Sequence, residues 1–489
     1  MAIDQGTTST RAMLFDQEGQ LVTKAQNEFH QYFPANGWVE HDPEEIWRST
    51  VRVCQEVILN INSEVNHIAA IGITNQRETT VLWDKQTGQT IGRAIVWQDR
   101  RTSDYCQSLK DQYPEINQWI NNKTGLLMDP YFSATKIRWL LDHYPQAQSL
   151  ADQGRLAFGT MDCFLLWRLT NGLSHATDVT NASRTMLFNL SSLDWDQELL
   201  DFFDIPRSIL PKVWENCADF GITDDKWFGA PIPITGMAGD QHAACFGQTC
   251  LEPGMVKSTY GTGCFVMVNT GEQIIHSDNH LLTTIMSKVN GQVQYALEGS
   301  IFVAGAAVKW LRDEMKLIKS SAQTEAIARS VDSNKGVYLV PAFTGLGAPH
   351  WHPEARGAIF GMTRDTGRCE IVRAVLEAVC YQTKDLLDAI EKDWGQPLKQ
   401  IRVDGGMVAN RWLLDFLADM INMPVEKPTC IETTVRGAAY FAGLHVGLYA
   451  SLPRLEQLWT LDERFDNHIT DERRQELYSG WLDAVKRVC

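Results

Sequence analysis

Two loops in this chain carry more hydroxyls and glycines than turning requires: Gln5-Gly6-Thr7-Thr8-Ser9-Thr10 near the start and Tyr260-Gly261-Thr262-Gly263 past the middle. Backbone N–H groups left open by glycine, with hydroxyls donating further hydrogen bonds, can cradle a phosphate. An ordinary turn accounts for either loop alone, because Gly, Ser and Thr dominate turns. Two such loops at matching places weaken that account. Asp4, just ahead of the first loop, can orient a Mg2+ ion through water or merely cap its own turn, and Arg11 follows the loop. Asp240 in "GMAGDQ" is either a helix N-cap or a cleft-facing general base, with Gln241 beside it as a hydrogen-bond donor. Arg77-Glu78 is either a surface ion pair of little consequence or a pocket pair, one donating to and one accepting from adjacent hydroxyls of a polyol. Trp97, Tyr131 and Phe265 can wall such a pocket, although with 16 tryptophans any single one is more often packing. His30, His41 and His350 lack ligand spacing and read as structural.

These residues must be positioned by strands and helices that the apolar pattern outlines. "MAIDQGTTSTRAMLFD" reads as a hairpin and "GQLVTKAQNEF" as a third strand, followed by an amphipathic helix starting near Pro43. "HIAAIGIT" is a buried strand that ends in Asn75-Gln76-Arg77-Glu78, the carboxyl edge where open α/β sheets place ligands. "RAIVWQDRR" repeats that arrangement, with Trp97, Gln98 and Asp99 after a strand. "APIPITGMAGDQHAACFGQ" reads as a Pro-bounded strand, a Gly-rich turn and a helix from about Asp240, and Pro253-Gly254 marks the break that follows. "GMVKSTYGTGCFVMVNTG" is again strand, turn and strand, leading into further hairpins and helices, so one plan occurs twice at half-chain scale. "QIRVDGGMVANRWLLDFLADMI" gives a strand, the Asp404-Gly405-Gly406 loop as a candidate for chemistry, and a helix whose core face is Leu413, Phe416, Leu417, Met420 and Ile421.

At 489 residues the chain is long for one core, and two domains are expected, packed across a cleft. The 44 Lys+Arg against 60 Asp+Glu leave a net charge of −16, which excludes nucleic acid or an anionic membrane as main partner and requires any anionic ligand to be held locally. Eleven cysteines without a CxxC pair suit buried free thiols of a cytoplasmic protein. No apolar leader or membrane-length run is present, so no membrane insertion is expected. Neither GxxxxGK[ST] nor a complete GxGxxG after a strand occurs, which disfavours the usual nucleotide folds.

Taken together, "DQGTTSTR", "GWVEHDPEEIW", "GITNQRETT", "IVWQDRR", "DPYFSATK", "TDVTNASRTMLFN", "GMAGDQHAACFGQ", "STYGTGCF", "VPAFTGLGAPHW", "RGAIFGMTR" and "VDGGMVANRWL" resemble the FGGY carbohydrate kinases, from residue 4 to about 447. The resemblance implies two actin-like (ribonuclease H-like) α/β domains around a deep cleft, residues 1–247 on the glycerol and phosphate-loop side and 248–489 on the nucleotide side. It implies ATP and Mg2+, and transfer of the γ-phosphoryl group to a terminal hydroxyl of glycerol, giving sn-glycerol 3-phosphate. By it, glycerol meets Arg77, Glu78, Tyr131, Asp240 and Gln241, with Trp97 and Phe265 on its carbon skeleton and Asp240 as the base. Thr7, Thr8, Ser9 and Arg11 approach the phosphates; Thr262, Gly305, Gly406 and Asn410 serve the nucleotide, as does Lys309, where the family pattern has Gln. Asp4 belongs to the metal. A homodimer or homotetramer is expected. Only three residues precede Asp4, so the first strand is expected to be shortened and to support Asp4 less well than in the family. The stretch "TDDKWFGAPIPITG" lacks the Gly-Gly-Thr-Arg loop tied in some relatives to fructose 1,6-bisphosphate inhibition, and has Lys226 where others carry a phosphorylated His, so neither control is expected at those sites. Another polyol or pentulose kinase of the family, or an actin-like ATPase, is the competing reading.

Overall fold

The computed structural model describes residues 1–61, 65–352 and 354–489. Two mixed sheets organise the chain, and they repeat one another strand for strand. In the first, Ala2–Gln5 pairs antiparallel with Ser9–Phe15, which pairs antiparallel with Leu21–Glu28, while its other edge runs parallel to Ile71–Asn75. Beyond that lie the parallel strand Pro233–Gly239 and the antiparallel edge Cys217–Ile222. In the second, Met255–Tyr260 pairs antiparallel with Cys264–Gly271, which pairs antiparallel with Gln292–Ile301. Met255–Tyr260 also runs parallel to Gln400–Asp404, followed by parallel Val425–Pro428 and antiparallel Leu461–Phe465. An extra strand, Leu282–Val289, extends this sheet beyond Gln292–Ile301. The half-chain repeat is therefore a repeat of strand order and direction, with each hydroxyl-rich loop closing the first hairpin of its sheet.

Local chemistry explains the elements that matter to the site. Helix Pro43–Asn60 starts where Asp42 accepts from the Glu44 backbone N–H and Pro43 takes the first turn, a position that leaves a proline's missing donor unneeded. Strand Ala2–Gln5 is only four residues long, yet every one is buried and paired on both sides, Asp4 lying opposite Arg11 and Thr74. Its short length thus leaves Asp4 well supported, because two neighbouring strands fix its register. Pro233–Gly239 passes straight into helix Asp240–Gly247 with no intervening Gly-rich turn; the glycines instead accompany a register shift between Ile234 and Gly236. "RAIVWQDRR" forms only the two-residue strand Ala94–Ile95, paired with Glu40–His41 outside the main sheet. The Asp99 carboxylate takes the Val39 N–H at 2.6 Å, and the Asp99 N–H folds back onto the Val96 carbonyl at 3.0 Å, ending the strand as a turn.

The two halves meet on small residues. Helix Thr433–His445 lies against helix Asp240–Gly247 so closely that a Cβ on Gly437 would fall 1.8 Å from the Ala243 carbonyl oxygen, while Phe246 stacks on Phe441 at 3.8 Å. A third apolar layer, built from residues such as Ile95, Leu126, Ile137 and Phe188, encloses Ile285 and Tyr295 from the second half. The hairpin of strands 282–289 and 292–301 is consequently embedded in the first half. No helix among the described residues is long and apolar enough to cross a membrane.

Candidate active site

The carboxyl ends of strands 71–75 and 233–239 lie side by side, and Asn75 sits opposite Gly239. Arg77 and Glu78 emerge from the first end, Asp240 from the second. Arg77 and Glu78 are both buried, which rules out the surface ion pair. Arg77 Nε stands 3.2 Å from Asp240 Oδ1 and 4.0 Å from Glu78 Oε1. Glu78 takes a left-handed backbone, φ 61°, which turns its side chain back towards this cluster. Asp240 is the first residue of its helix, and Gly239 occupies the cap position. The Asp240 carboxylate accepts its neighbour's N–H, Gln241 N at 2.7 Å, beside its ion pair with Arg77, and its side chain keeps 29% exposure. Burial pushes this carboxyl up to about 6; Arg77 opposes the rise, and Glu78 and Asp4 add to it. A carboxylate ionised at neutral pH but close to titrating is suited to accept a proton.

The wall is aromatic on three sides. The Trp97 ring lies edge-on to Tyr131 at 5.7 Å and to Phe265 at 6.3 Å, so residues of both halves close the same space. Trp97 Nε1 donates to Thr7 Oγ1 at 3.0 Å, joining this wall to the first hydroxyl loop. Gln241 Oε1 accepts from Lys257 Nζ at 2.5 Å, leaving the Gln241 amide NH2 as the free donor of that side chain.

The phosphate-loop residues divide into open and engaged groups. In the first loop Gly6 N donates to Ser9 O at 2.9 Å, and Gln31 Nε2 holds the Thr7 carbonyl at 2.7 Å. Ser9 Oγ accepts from Gln26 at 3.0 Å, and Thr8 is exposed at the tip. Arg11 is taken up by two carboxylates, Asp4 and, at 2.8 Å, Glu432. Across the junction, Ala304 N and Ala306 N both donate to the Thr262 carbonyl at 3.0 Å, and Gly305 N donates to Gly261 O at 3.0 Å. A Cβ on Gly305 would lie 2.5 Å from Gly261 O, so only glycine permits this approach. Replacing Gly305 with Ala should push the two loops apart and cost about 1–3 kcal/mol of stability, read from denaturant unfolding.

Gly406 is exposed, and a Cβ built on it meets nothing within 4 Å, so its backbone is open to a ligand. Asn410 sits nearby but caps helix Arg411–Ile421, accepting from Leu413 N at 3.0 Å and donating to Thr324 Oγ1 at 3.1 Å. Lys309 is exposed on helix Gly305–Asp313, one turn from Gly305. Asp404 is a structural anchor, accepting from Thr259, Thr433 and Gln248 at 2.5, 2.6 and 2.9 Å. His41 is buried between Gln31 and Gln76 and held down to about 4 by burial, and His350 pairs with Asp385 at 3.0 Å.

Mg2+ in phosphoryl-transfer sites is usually bound by one or two carboxylates plus phosphates and water. Asp4 fits that donor set: it is a buried carboxylate close enough to Asp240 to raise its proton affinity. Among the described residues no group of three or more His, Cys, Asp or Glu side chains could hold a metal, so a protein-only cage is absent there.

Four contributors escaped the sequence reading. Glu298 bridges Arg77 and Arg184, Arg184 binds Glu78, Lys257 fixes Gln241, and Thr180 Oγ1 accepts from Gly239 N at 3.0 Å just before Asp240. Thr180 is in turn seated by Asp178, whose carboxyl is pushed up to about 7 by burial and by Asp162. A lone carboxylate in the apolar run "YALEGSIF" and a lone guanidinium in "TNASRTMLF" were the available signals, since a buried charge demands a partner.

Two sheets of one topology, with a carboxylate, a guanidinium and two glycine-hydroxyl loops converging where they meet, define a two-domain phosphotransferase of the actin-like ATPase fold. The models of the N-terminal and C-terminal domains of the FGGY family of carbohydrate kinases match residues 1–247 and 256–446, and the chain belongs to that family. It is 58% identical over 488 residues to glycerol kinase 1 of Pseudomonas aeruginosa, covering 100% of this chain and 98% of that one. It is likewise 58% identical over 489 residues to the glycerol kinase of Alcanivorax borkumensis, with the same coverage. The crystal structure of Plasmodium falciparum glycerol kinase with ADP superimposes with a TM-score of 0.95 at 39% identity, covering 99% of this chain and 97% of that one.

Proposed function

We infer that this chain transfers the γ-phosphoryl group of ATP to a terminal hydroxyl of glycerol, giving sn-glycerol 3-phosphate. The observation that carries this reading is the Asp240 carboxylate, titrating at about 6 and held 3.2 Å from Arg77 inside a wall of Trp97, Tyr131 and Phe265. The names of the relatives, at 58% identity over the whole chain, point the same way.

In this reading Arg77 donates to one glycerol hydroxyl and Glu78 accepts from its neighbour, while Tyr131 and the Gln241 amide complete the polar contacts. Trp97 and Phe265 enclose the carbon skeleton and exclude water. The reacting hydroxyl faces Asp240, which takes its proton as the new bond to phosphorus forms. Phosphoryl transfer asks for in-line positioning and charge stabilisation more than covalent help, and the site supplies these. Thr7, Thr8 and Ser9 hold the phosphates from one side and Thr262 from the other. Gly305 and Gly406 admit the nucleotide close to the backbone beside Lys309 and Asn410. Arg11, paired with Asp4 and Glu432, orients Asp4. Asp4 would hold Mg2+ through water, and that ion supplies neutralisation of phosphate charge. Residues 1–247 thus present the acceptor and 248–489 the nucleotide, with Phe265 as the second half's contribution to the acceptor wall. The eleven free cysteines suit a reducing, cytoplasmic setting.

A coupled assay tests the reading: glycerol and ATP should yield sn-glycerol 3-phosphate and ADP in equal amounts. ADP formed without glycerol, or preferential phosphorylation of a pentulose, would overturn it. The same assay carries a pH prediction. Asp240 must be ionised to act, and its raised value means that the protonated, inactive form dominates below about pH 6. Turnover should therefore fall about tenfold per pH unit below that point and level off above it.

A further inference from the structure

Glu298 lies on strand Gln292–Ile301 of the second sheet and is buried, yet its carboxylate reaches the acceptor site of the first half. Oε2 meets Arg77 NH1 at 2.5 Å, and Oε1 takes both Arg77 NH2 at 3.1 Å and Arg184 NH2 at 3.0 Å. Arg184 Nε in turn donates to Glu78 Oε1 at 2.7 Å. Four buried charges alternate in a ring of Arg77, Glu298, Arg184 and Glu78, and two of them are the pair that reads as binding glycerol. Burial pushes the Glu298 carboxyl up, but Arg184 and Arg77 outweigh it and hold the group down at about 2. Such a ring is a poor device for stability, because well-packed apolar side chains serve as well or better. Its value lies in orientation.

We propose that Glu298 is a positioning residue for acceptor recognition: its bidentate grip aims Arg77, and through Arg184 it sets Glu78, so that the two address adjacent hydroxyls together. Glu298 fills one position on each terminal nitrogen of Arg77, leaving Nε for Asp240 and the remaining N–H groups for the ligand. Arg184 is immobilised beside Tyr131 and Phe132, its carbon 5.6 and 5.4 Å from their rings. Directly opposite residues of an antiparallel pair share a face, and so do residues two apart. Ser300 pairs with Phe265, so Glu298 and Phe265 project from the same face of the sheet. The hairpin that carries Glu298, and against which the Phe265 strand is paired, is fastened to the first half by Tyr295 OH to Leu190 O at 2.9 Å, Thr283 N to Gly125 O at 2.9 Å and Ser183 Oγ to Thr284 Oγ1 at 3.0 Å. Two adjacent strands of the second half thereby supply one wall and one charge to the acceptor site, Phe265 from Cys264–Gly271 and Glu298 from Gln292–Ile301.

The proposal rests on the function given above, and the test separates the two. Wild-type protein is assayed first with glycerol and ATP; absence of turnover overturns both. Glu298→Gln keeps the size but sets an amide NH2 against a guanidinium N–H. The KM for glycerol should then rise at least about 30-fold, with the KM for ATP within about twofold of wild type. Glu298→Asp keeps the charge on a shorter arm and should fall between Gln and wild type. A merely structural role would lower the folded fraction and the thermal midpoint while leaving the glycerol KM of the active molecules unchanged, and that result in either variant overturns the proposal. If Glu298→Gln does not fold, Glu298→Asp alone decides it: a glycerol KM raised about fivefold or more with an unchanged ATP KM upholds the role, and an unchanged glycerol KM overturns it.

Discussion

Asp240→Asn should lower kcat by about 1000-fold or more while glycerol and ATP affinities change by less than about threefold, within the range that a positioned general base contributes. The amide has the shape of the carboxylate, and its oxygen can still accept from Gln241 N and lie against Arg77 Nε, the two groups that face Asp240 Oδ1. What it cannot do is take a proton. Glycerol is held in this reading by Arg77, Glu78, Tyr131 and Gln241, all intact in the variant. Binding of each substrate by calorimetry, set beside single-turnover rates at pH 8 where Asp240 is ionised, gives the separation. Near-normal turnover would remove Asp240 from its role. Glu298 cannot stand in, since Arg77 and Arg184 hold both its oxygens and keep its carboxyl down at about 2.

Arg77→Met is expected to act on three readouts at once. Arg77 is buried against Glu298, Glu78 and Asp240. Removing it leaves one guanidinium, Arg184, among three carboxylates. Breaking a buried pair by deleting one partner costs about 3–5 kcal/mol, because the other charge stays buried without compensation. Denaturant unfolding should show that loss. Glycerol affinity should fall at least about 100-fold with the loss of the donor to a hydroxyl. The third readout has a definite sign. Arg77 holds the Asp240 carboxyl down against burial, so without it the carboxyl rises above about 6 and the acid limb of turnover moves to higher pH. A variant that lost stability alone, with its glycerol KM and its pH limb unmoved, would assign Arg77 to the scaffold.

The apolar pattern of "HIAAIGIT", the turn chemistry of "DQGTTST" and the Pro–Gly punctuation around "APIPITGMAGDQ" are local, and strands 2–5, 71–75 and 233–239 follow them. Where side-chain hydrogen bonds compete with the backbone, the same reasoning misplaced one element: Asp99 helps turn "RAIVWQDRR" into a two-residue strand outside the main sheet. The sequence also left Asp240 between helix cap and base. The direct passage of its strand into its helix puts Gly239, not Asp240, at the cap position, and the base role is the reading proposed above.

By itself, the sequence determined the two-fold plan, the two hydroxyl loops and the residue types able to hold a polyol and a phosphate, because each depends on neighbours a few positions apart. Tertiary structure alone decided whether Arg77 and Glu78 faced water or a pocket, and which charges complete them. Glu298 is 221 residues from Arg77, and Arg184 is 106 from Glu78. They meet because an embedded hairpin sets one sheet's edge against the other's carboxyl ends, and no spacing along the chain encodes that crossing. The physical reason is desolvation: once burial strips water from a charge, only a partner brought by the fold can replace it.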